Sequence, residues 1–394
     1  MLASEALRAL LSDEGVIALV LKALFPSFLL SSASATKRNG LVYALWCFGG
    51  LAASALMFKG WQGAIANRDF VSLWVAGKLA TSGHAAQAYD LAALRAAAHS
   101  LAGTTFNIAF PYPPHILFIA VPLSLLPLKF SFFLWQATSA ALFYVAARPY
   151  VPKKLPRALV LLTPAAVINV TFGQVGFFYG ALWLFAFAGS SVAAALLTFK
   201  PHLGVLIAAE VARRRHLLFT CLLAGSIICL SAMVFGLDAW RASILGAVSQ
   251  QIGLLSSTDV LKWYYQMTTP YLGYGLIGWV AFAAAAVLLL VRNFNVFSAA
   301  TAAFLIAPYG FHYDMTVVCL GFGILLFERW RSMPPWQTLA CALAFLSPVL
   351  VSVGTWVVPP LLLAGLYIQC IQVRSQLAPA CDLTDTANPL VAGR

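Results

Sequence analysis

Long apolar runs separated by short polar segments dominate the hydropathy pattern of this chain. The runs that suit membrane helices cover residues 41–59, 114–127, 130–147, 157–171, 175–188, 190–212, 217–235, 272–291, 296–308, 311–327, 336–352 and 355–372. Several runs are shorter than the roughly 20 residues that a helix needs to cross a bilayer. The pattern therefore predicts an all-α polytopic integral membrane protein with about 11 to 13 spans, some of them tilted, broken or re-entrant.

Composition supports a membrane protein. The chain is 62% hydrophobic and 9% charged, whereas a soluble domain is normally about half apolar and about a quarter charged. Its net charge is +12, but the basic residues form short clusters between apolar runs instead of one patch. Such clusters are typical of cytoplasmic loops and not of a nucleic-acid footprint. Nucleic acid is therefore not an expected partner.

Three basic clusters orient the chain. They are Lys37-Arg38, Arg213–Arg215, and Arg329 with Arg331. The positive-inside rule places all three in the cytoplasm. The loop 148–157 is also basic, yet two full crossings between residues 114 and 147 place it outside. Either that segment crosses only once, or this loop breaks the rule.

The resulting organisation has three parts. Residues 1–40 form a cytoplasmic or interfacial segment, residues 41–373 the transmembrane domain, and residues 374–394 a disordered cytoplasmic tail. The two large extracytoplasmic loops are 60–113 and 236–271. Residues 15–30 are apolar but interrupted by Lys22 and Pro26, so an interfacial helix is predicted there instead of a span.

The first outer loop contains two predicted short helices within residues 67–103. The first begins at the cap Asn67 and ends at Gly83, and the second begins at the cap Asp90 and ends at Gly103. Phe70, Leu73 and Trp74 make a short apolar face on the first helix. That face suits a helix lying along the membrane surface.

Asp69, beside Arg68, has two interpretations. It can complement the dipole of the first loop helix, or it can act as a catalytic base. The chain has only twelve acidic residues. Those that the predicted topology leaves for chemistry on the outer face are Asp69, Asp90, Asp238, Asp259 and Asp314. Of these five, Asp69 is next to a span and beside an arginine.

Lys200 is an ionisable residue inside an apolar run, followed by Pro201 and His202. Such a residue at membrane depth is costly and is a functional candidate by default. The proline predicts a helix kinked at the lysine. A lysine there can hold a phosphate together with His202, or it can extend its amine to the membrane interface.

A second polar cluster lies between two late spans. His312 and Asp314 can orient one another or contact a shared ligand. Alternatively, His312 anchors the chain at the interface together with Tyr309 and Tyr313. Gln174 lies at a break between two apolar runs and carries no specific signal by itself.

Taken in order, these motifs resemble glycosyltransferase family 87, which includes mannosyltransferases that use polyprenol-phosphate mannose. The motifs are Asp69-Phe70, Gly83 with Tyr89-Asp90, YPP at 112–114, PLSLLP at 122–127, Gly173-Gln174, Lys200-Pro201 ahead of a basic triplet, and Pro308 with His312-Tyr313-Asp314. The resemblance covers residues 65 to 315 approximately.

The resemblance implies a GT-C fold, with an active site on the extracytoplasmic face roofed by amphipathic helices of the first loop. It implies a polyprenyl-phosphate sugar as donor, with mannose as the first candidate, a lipid or glycan hydroxyl as acceptor, and inversion at the anomeric carbon. It also implies a bacterial inner membrane location, with the site facing the periplasm. The catalytic position that matches the family motif is Asp69.

The chemistry of sugar transfer agrees with these residues. A base must take the acceptor proton, and cations must stabilise the leaving phosphate. The residues assigned to donor phosphate or sugar are Arg68, Gln174, Lys200, His202, His312 and Asp314. The sequence offers no carboxylate pair for a metal ion, so no metal or other cofactor is expected.

Two other classes remain open from the sequence. A transporter or flippase of a lipid-linked saccharide can use the same intramembrane lysine and histidine. It has no need for the long first outer loop with two helices. A non-catalytic membrane scaffold leaves the cost of burying Lys200 unexplained.

Overall fold

The computed structural model describes residues 33–56, 65–104, 108–256, 266–267 and 274–372. The predicted interfacial helix at 15–30, the tail 374–394 and Asp259 lie outside these ranges. The helices of the first half are α1 (Ala33–Leu56), α2 (Phe70–Thr81), α3 (Leu91–Ala102), α4 (Leu117–Ser124), α5 (Leu128–Ala147), α6 (Pro164–Phe172), α7 (Gly176–Phe187), α8 (Ser191–Leu196) and α9 (Pro201–Arg213).

The second half continues with α10 (Leu217–Phe235), α11 (Leu237–Ser256), α12 (Gly275–Arg292), α13 (Val296–Ile306), α14 (Thr316–Arg329), α15 (Pro335–Phe345), α16 (Ser347–Leu350) and α17 (Val358–Gln372). Short 3-10 turns cover Ile65–Asn67, Ala85–Tyr89, Pro114–Ile116, Arg157–Leu162, Leu197–Phe199, His312–Asp314 and Thr355–Val357. Two short strands, β1 (Gln266–Met267) and β2 (Gly310–Phe311), pair antiparallel. This content confirms the predicted all-α class.

Prolines determine several helix boundaries. Pro164 and Pro201 occupy the first turns of α6 and α9, where a missing N–H costs no intrahelical hydrogen bond. The run 190–212 is broken and not merely kinked. Here α8 ends at Leu196, a 3-10 turn follows, and Lys200 lies before α9 with φ −133° and ψ 67°. The break leaves the lysine at a helix end.

Helix length differs between the two apolar runs in residues 114–147. Among the described residues, four helices are long and apolar enough to cross a membrane: Leu128–Ala147, Leu217–Phe235, Gly275–Arg292 and Thr355–Gln372. Helix α4 has eight residues, which gives it a length of about 12 Å, well short of a bilayer. The segment 114–147 therefore contains one helix of spanning length, α5, which is what the single-crossing alternative for the basic loop 148–157 requires.

The basic loops lie together at one end of the bundle. The Tyr150 hydroxyl, just after α5, donates to the carbonyl oxygen of Leu184 near the end of α7 at 2.8 Å. Arg214, just after α9, donates to the carbonyl oxygen of Phe187 at 2.6 Å. Helices α7 and α9 thus end side by side. Their first residues, together with Gln174 and Lys200 immediately before them, lie at the opposite end.

Helix α2 is buried on nearly every side, from Phe70 to Gly77 and at Leu79. It packs against α4, and a Cβ on Gly77 would lie 2.2 Å from the Ala120 carbonyl oxygen. The predicted apolar face along the membrane surface is therefore wrong for this helix, because its polar-looking side also packs against protein. Helix α3 fits the amphipathic prediction better, since only Leu94 and Ala98 are buried.

Candidate active site

Asp69 directly precedes α2 and occupies its N-cap position, so the predicted cap Asn67 lies two residues too early. The Asp69 side chain makes no capping hydrogen bond to its own helix. Its Oδ2 atom accepts a hydrogen bond from Nε2 of Gln174 instead. The residue as a whole is half-buried.

Asp90 shows what an ordinary cap looks like in the same loop. Its exposed Oδ1 accepts hydrogen bonds from the backbone N–H groups of Ala92 and Ala93, at 2.8 and 2.9 Å. This contact confirms the predicted capping role of Asp90, and Gly103 ends the same helix with φ 65°. The two loop aspartates therefore differ in function: one caps a helix, and the other points into the protein.

Local sequence places Gln174 beside Asp69. Helix α6 ends at Gly173, which has φ 69° in the left-handed region. A Cβ on Gly173 would lie 2.7 Å from atoms of both Phe70 and Phe132. Glycine is therefore required by conformation and by space. The chain turns sharply at this glycine, and the turn directs the Gln174 side chain toward the start of α2.

Lys200 and Asp314 form a buried ion pair. The Lys200 Nζ atom donates to both carboxylate oxygens of Asp314, at 2.7 and 2.6 Å. The side chains are 6% and 0% exposed. Lys200 therefore does not extend to the membrane interface, and the alternative of a snorkelling lysine is wrong. A buried charge needs such a partner, because an unpaired one carries a large desolvation cost.

Aromatic rings surround the Lys200 ammonium group. Its Nζ atom lies 5.0 Å from the ring centroid of Tyr313, 5.8 Å from that of Tyr112 and 6.0 Å from that of Phe311. The Phe311 and Tyr313 rings stack at 5.2 Å with an interplanar angle of 5°. These rings exclude water from the pair while their faces stabilise the cation.

A cavity of about 270 Å³ opens beside this ion pair. Its lining includes Tyr112, Lys200, His202, Trp240, Ser243 and Tyr309. The His202 ring stacks on Tyr309 at 4.2 Å, and its buried Nε2 atom has no hydrogen-bond partner within the described ranges. A lysine and a histidine with an uncommitted nitrogen on one wall, and aromatic rings on the others, suit an anionic ligand that carries an apolar or sugar surface.

Of the residues predicted to contact the donor, Lys200 and His202 line this cavity, whereas Arg68, Gln174, His312 and Asp314 lie outside the lining. Arg68 is buried, with its guanidinium carbon 5.1 Å from the Phe132 ring centroid. His312 is buried, and its ring lies 5.7 Å from that of Tyr313. The structure therefore places both next to site residues without bringing either to the cavity wall.

The Asp69 carboxylate and the Lys200–Asp314 pair belong to one electrostatic site. Burial raises the pKa of Tyr112 and of Tyr313, and the carboxylates of Asp314 and Asp69 raise both pKa values further. Burial raises the pKa of Asp69 to about 6, and the hydrogen bond from Gln174 acts in the opposite direction. A carboxylate with that pKa is ionised at neutral pH and can accept a proton there.

Sequence reasoning missed Asn169, Trp240 and Tyr112 as site residues. Asn169 joins α6 to the loop before α14, because its Nδ2 atom donates to the Tyr313 carbonyl oxygen at 2.9 Å. Tyr112 had a signal, since it belongs to the YPP motif. Asn169 and Trp240 had none, because Asn169 lies within an apolar run and Trp240 within the predicted outer loop 236–271. Within the described ranges, no three His, Cys, Asp or Glu side chains gather into a metal site.

Comparison with known proteins gives one family. The sequence model of glycosyltransferase family 87 matches residues 110–308, half of the chain. The matched segment contains Tyr112, Gln174, Lys200 and His202, whereas Asp69 and Asp314 lie outside it. No curated protein and no solved structure matches the chain. The placement of Asp69 in the site therefore rests on geometry.

Proposed function

The chain belongs to glycosyltransferase family 87, and we propose that it moves a sugar from a polyprenyl-phosphate donor to a hydroxyl group. The observation that carries this proposal is that one helix end links Asp69, through Gln174 and Asn169, to the turn that holds Asp314 and its partner Lys200. A transferase needs a base near its acceptor and cations near its leaving phosphate. Both kinds of group meet at one end of the bundle.

Asp69 is the proposed general base. As the acceptor oxygen bonds to the anomeric carbon of the sugar, Asp69 takes the hydroxyl proton. The bond between that carbon and the phosphate oxygen breaks, and polyprenyl phosphate leaves with the electron pair. Attack opposite the leaving group inverts the anomeric carbon. The partial burial that raises the pKa of Asp69 to about 6 suits proton transfer near neutral pH.

Lys200 and His202 are the proposed donor-phosphate groups. Both line the cavity, and Nε2 of His202 has no partner within the described part of the chain. Two hydrogen bonds hold the Lys200 ammonium against Asp314, and an ammonium has three donors. A phosphate in the cavity can therefore take the third donor without breaking the pair. Arg68 is proposed to add positive potential, and His312 to add polar contacts, from outside the cavity wall.

The polyprenyl tail has a route along the bundle. An apolar groove of about 190 Å³ lies between α9 and α10, lined by small residues that include Gly204, Ala208 and Cys221. Pro201 lines both this groove and the Lys200 cavity. A lipid phosphate in the cavity can thus lay its tail against α9. This arrangement supports a lipid-linked donor in preference to a soluble nucleotide sugar.

The proposed acceptor is a lipid or glycan hydroxyl on the extracytoplasmic face of a bacterial inner membrane. Positive loops collect at the end of the bundle opposite to the site, which supports this orientation under the positive-inside rule. Mannose is the proposed sugar, on the family resemblance given above. The proposed transfer is independent of a metal ion, with Asp69 as the base and Lys200 as a cation.

The test is transfer by the purified protein. Labelled polyprenyl-phosphate mannose, glucose and arabinose are each incubated with the protein and a membrane lipid extract. We expect label to move from the mannose donor into a new product. If only the glucose or the arabinose donor supports transfer, mannose is the wrong sugar. If no polyprenyl-phosphate donor supports transfer but a nucleotide sugar does, the proposed donor class is wrong.

A further inference from the structure

We infer that Gln174 is a positioning residue for the base: its side-chain amide turns the Asp69 carboxylate away from its own helix and holds it toward the site. This role differs from the donor contact that the sequence predicted for Gln174. The inference rests on the proposed function of Asp69, but the hydrogen bond can also be tested without it.

The first observation is that Gln174 points at Asp69 and not at the cavity. Gln174 is 6% exposed and does not line the cavity beside Lys200. Its Nε2 atom donates to Oδ2 of Asp69. A donor molecule in the cavity therefore meets Lys200 and His202, while the glutamine amide is already committed to the carboxylate.

The second observation is that Asp69 makes none of the capping hydrogen bonds that its position before α2 allows. An aspartate at an N-cap normally accepts hydrogen bonds from N–H groups of the first helical turn, as Asp90 does. Asp69 occupies the same position before α2 and makes no such bond. The partner that replaces those N–H groups is Gln174. Without it, the carboxylate is free to fold back onto its helix as an ordinary cap.

The third observation is that Gln174 is itself fixed. The backbone N–H groups of Gly173 and Gln174 both donate to the Asn169 carbonyl oxygen, at 2.9 and 3.2 Å. The Asn169 side chain donates to the Tyr313 carbonyl oxygen, one residue before Asp314. One helix end thus sets the position of the Asp69 carboxylate and of the Lys200–Asp314 pair together.

The hydrogen bond also affects ionisation. An N–H donor stabilises a carboxylate and lowers its pKa, against the burial that raises it. The Asp69 charge raises the pKa values of the buried Tyr112 and Tyr313 hydroxyls further, and the guanidinium of the neighbouring Arg68 lies over the Phe132 ring. Lys78, on the same helix, lies over the Trp74 ring, and Lys129 at the start of α5 is exposed.

The test compares two buried glutamines. Gln174→Met keeps the length of the side chain and removes the donor to Asp69. Gln136→Met is the matched control, since Gln136 is also buried and donates to the carbonyl oxygens of Asn169 and Val170 but not to Asp69. Carbodiimide labelling of Asp69, followed by peptide mass spectrometry across pH, reports ionisation of Asp69 without any transferase assay.

We expect the labelling midpoint of Gln174→Met to rise by at least about half a pH unit, while that of Gln136→Met stays at the wild-type value. In the transfer assay, the ratio of kcat at pH 8 to kcat at pH 6 should rise at least about twofold, with the donor KM unchanged. Gln174→Glu keeps the size of the side chain and places a like charge beside Asp69. It should raise the midpoint further.

An unmoved labelling midpoint in both Gln174 variants overturns the inference. So does a raised donor KM with an unchanged pH profile, because that result means that Gln174 touches the donor. If Asp69→Asn retains full transfer while the Gln174 variants still move the labelling midpoint, the proposed base is wrong and the hydrogen bond stands. If Asp69→Asn loses transfer while the labelling midpoint of the Gln174 variants stays at the wild-type value, only the positioning role is rejected.

Discussion

Lys200 and Asp314 are 114 residues apart in the chain, yet Nζ of Lys200 lies 2.7 and 2.6 Å from the two carboxylate oxygens of Asp314. The pair connects the break before α9 to the turn before α14. Removing one partner leaves an uncompensated buried charge, whereas replacing both with apolar groups removes the charge altogether. The pair therefore offers a direct test of what holds the site together.

Lys200→Met and Asp314→Leu should each destabilise the protein by about 3 kcal/mol or more, while the double variant should recover most of that loss. The measurement is the melting temperature in detergent, read by tryptophan fluorescence. The double variant should still fail to bind a polyprenyl-phosphate donor, because the ammonium is gone. If the loss of stability in the double variant equals the sum of the losses in the two single variants, the residues are not coupled.

Asp69→Asn should lose at least about a hundredfold in transfer rate, since a general base typically contributes about 10²- to 10⁴-fold. The substitution keeps the side-chain size, and the carboxamide oxygen can still accept from Gln174. The melting temperature and donor binding should therefore change little. Asp90→Asn is the control, because asparagine caps a helix as well as aspartate does, and its transfer should survive. Near-wild-type transfer by Asp69→Asn assigns the base elsewhere.

Transfer should depend on pH with an acidic limb near 6. The base works only when ionised, and the pKa of Asp69 lies at about 6. The rate should thus be full above that pH and should fall about tenfold per pH unit well below it. Donor binding measured at pH 5 and pH 7 separates this effect from protonation of the phosphate. A rate that stays constant from pH 5 to pH 8 contradicts Asp69 as the base.

Gly176→Ala should strongly destabilise the site. A Cβ at this position would lie 2.1 Å from both the Asn169 side-chain nitrogen and the Tyr313 carbonyl oxygen, so it separates the two groups that hydrogen-bond there. Overpacking of this kind typically costs about 1–3 kcal/mol. Gly225→Ala, in α10, is the matched control because no atom lies within 4 Å of its Cβ position. Its melting temperature should stay constant or rise, and equal losses in both variants contradict the close contact at Gly176.

Single cysteines in a background without native cysteines test the orientation. Gln87→Cys, in the 3-10 turn before α3, should react with a membrane-impermeant maleimide in intact cells, because Gln87 is exposed at the end of the bundle that holds the site. Lys153→Cys, exposed in the loop after α5, should react only after permeabilisation. Labelling of Lys153→Cys alone in intact cells inverts the proposed topology.

The sequence by itself determined the features that arise from local chemistry. Hydropathy predicted a helical membrane protein, because apolar runs of that length have no other stable form in a bilayer. Pro201 predicted a disruption of the run 190–212 at Lys200, since proline cannot donate within a helix, although the predicted kink is a full break. Asp90 was predicted as a cap because an aspartate just before a helix can accept hydrogen bonds from the N–H groups of the first turn. The order of the weak motifs was enough to indicate the family.

Only the tertiary structure decided which of these residues meet. Asp69 and Gln174 are 105 residues apart, and no local rule pairs them. The same holds for Lys200 and Asp314. The ion pair with Asp314 turns the lysine side chain into the protein and away from the membrane interface. Hydropathy also misjudged α2, because a residue that faces lipid and one that faces protein are equally apolar. Packing, which depends on the whole chain, made that distinction.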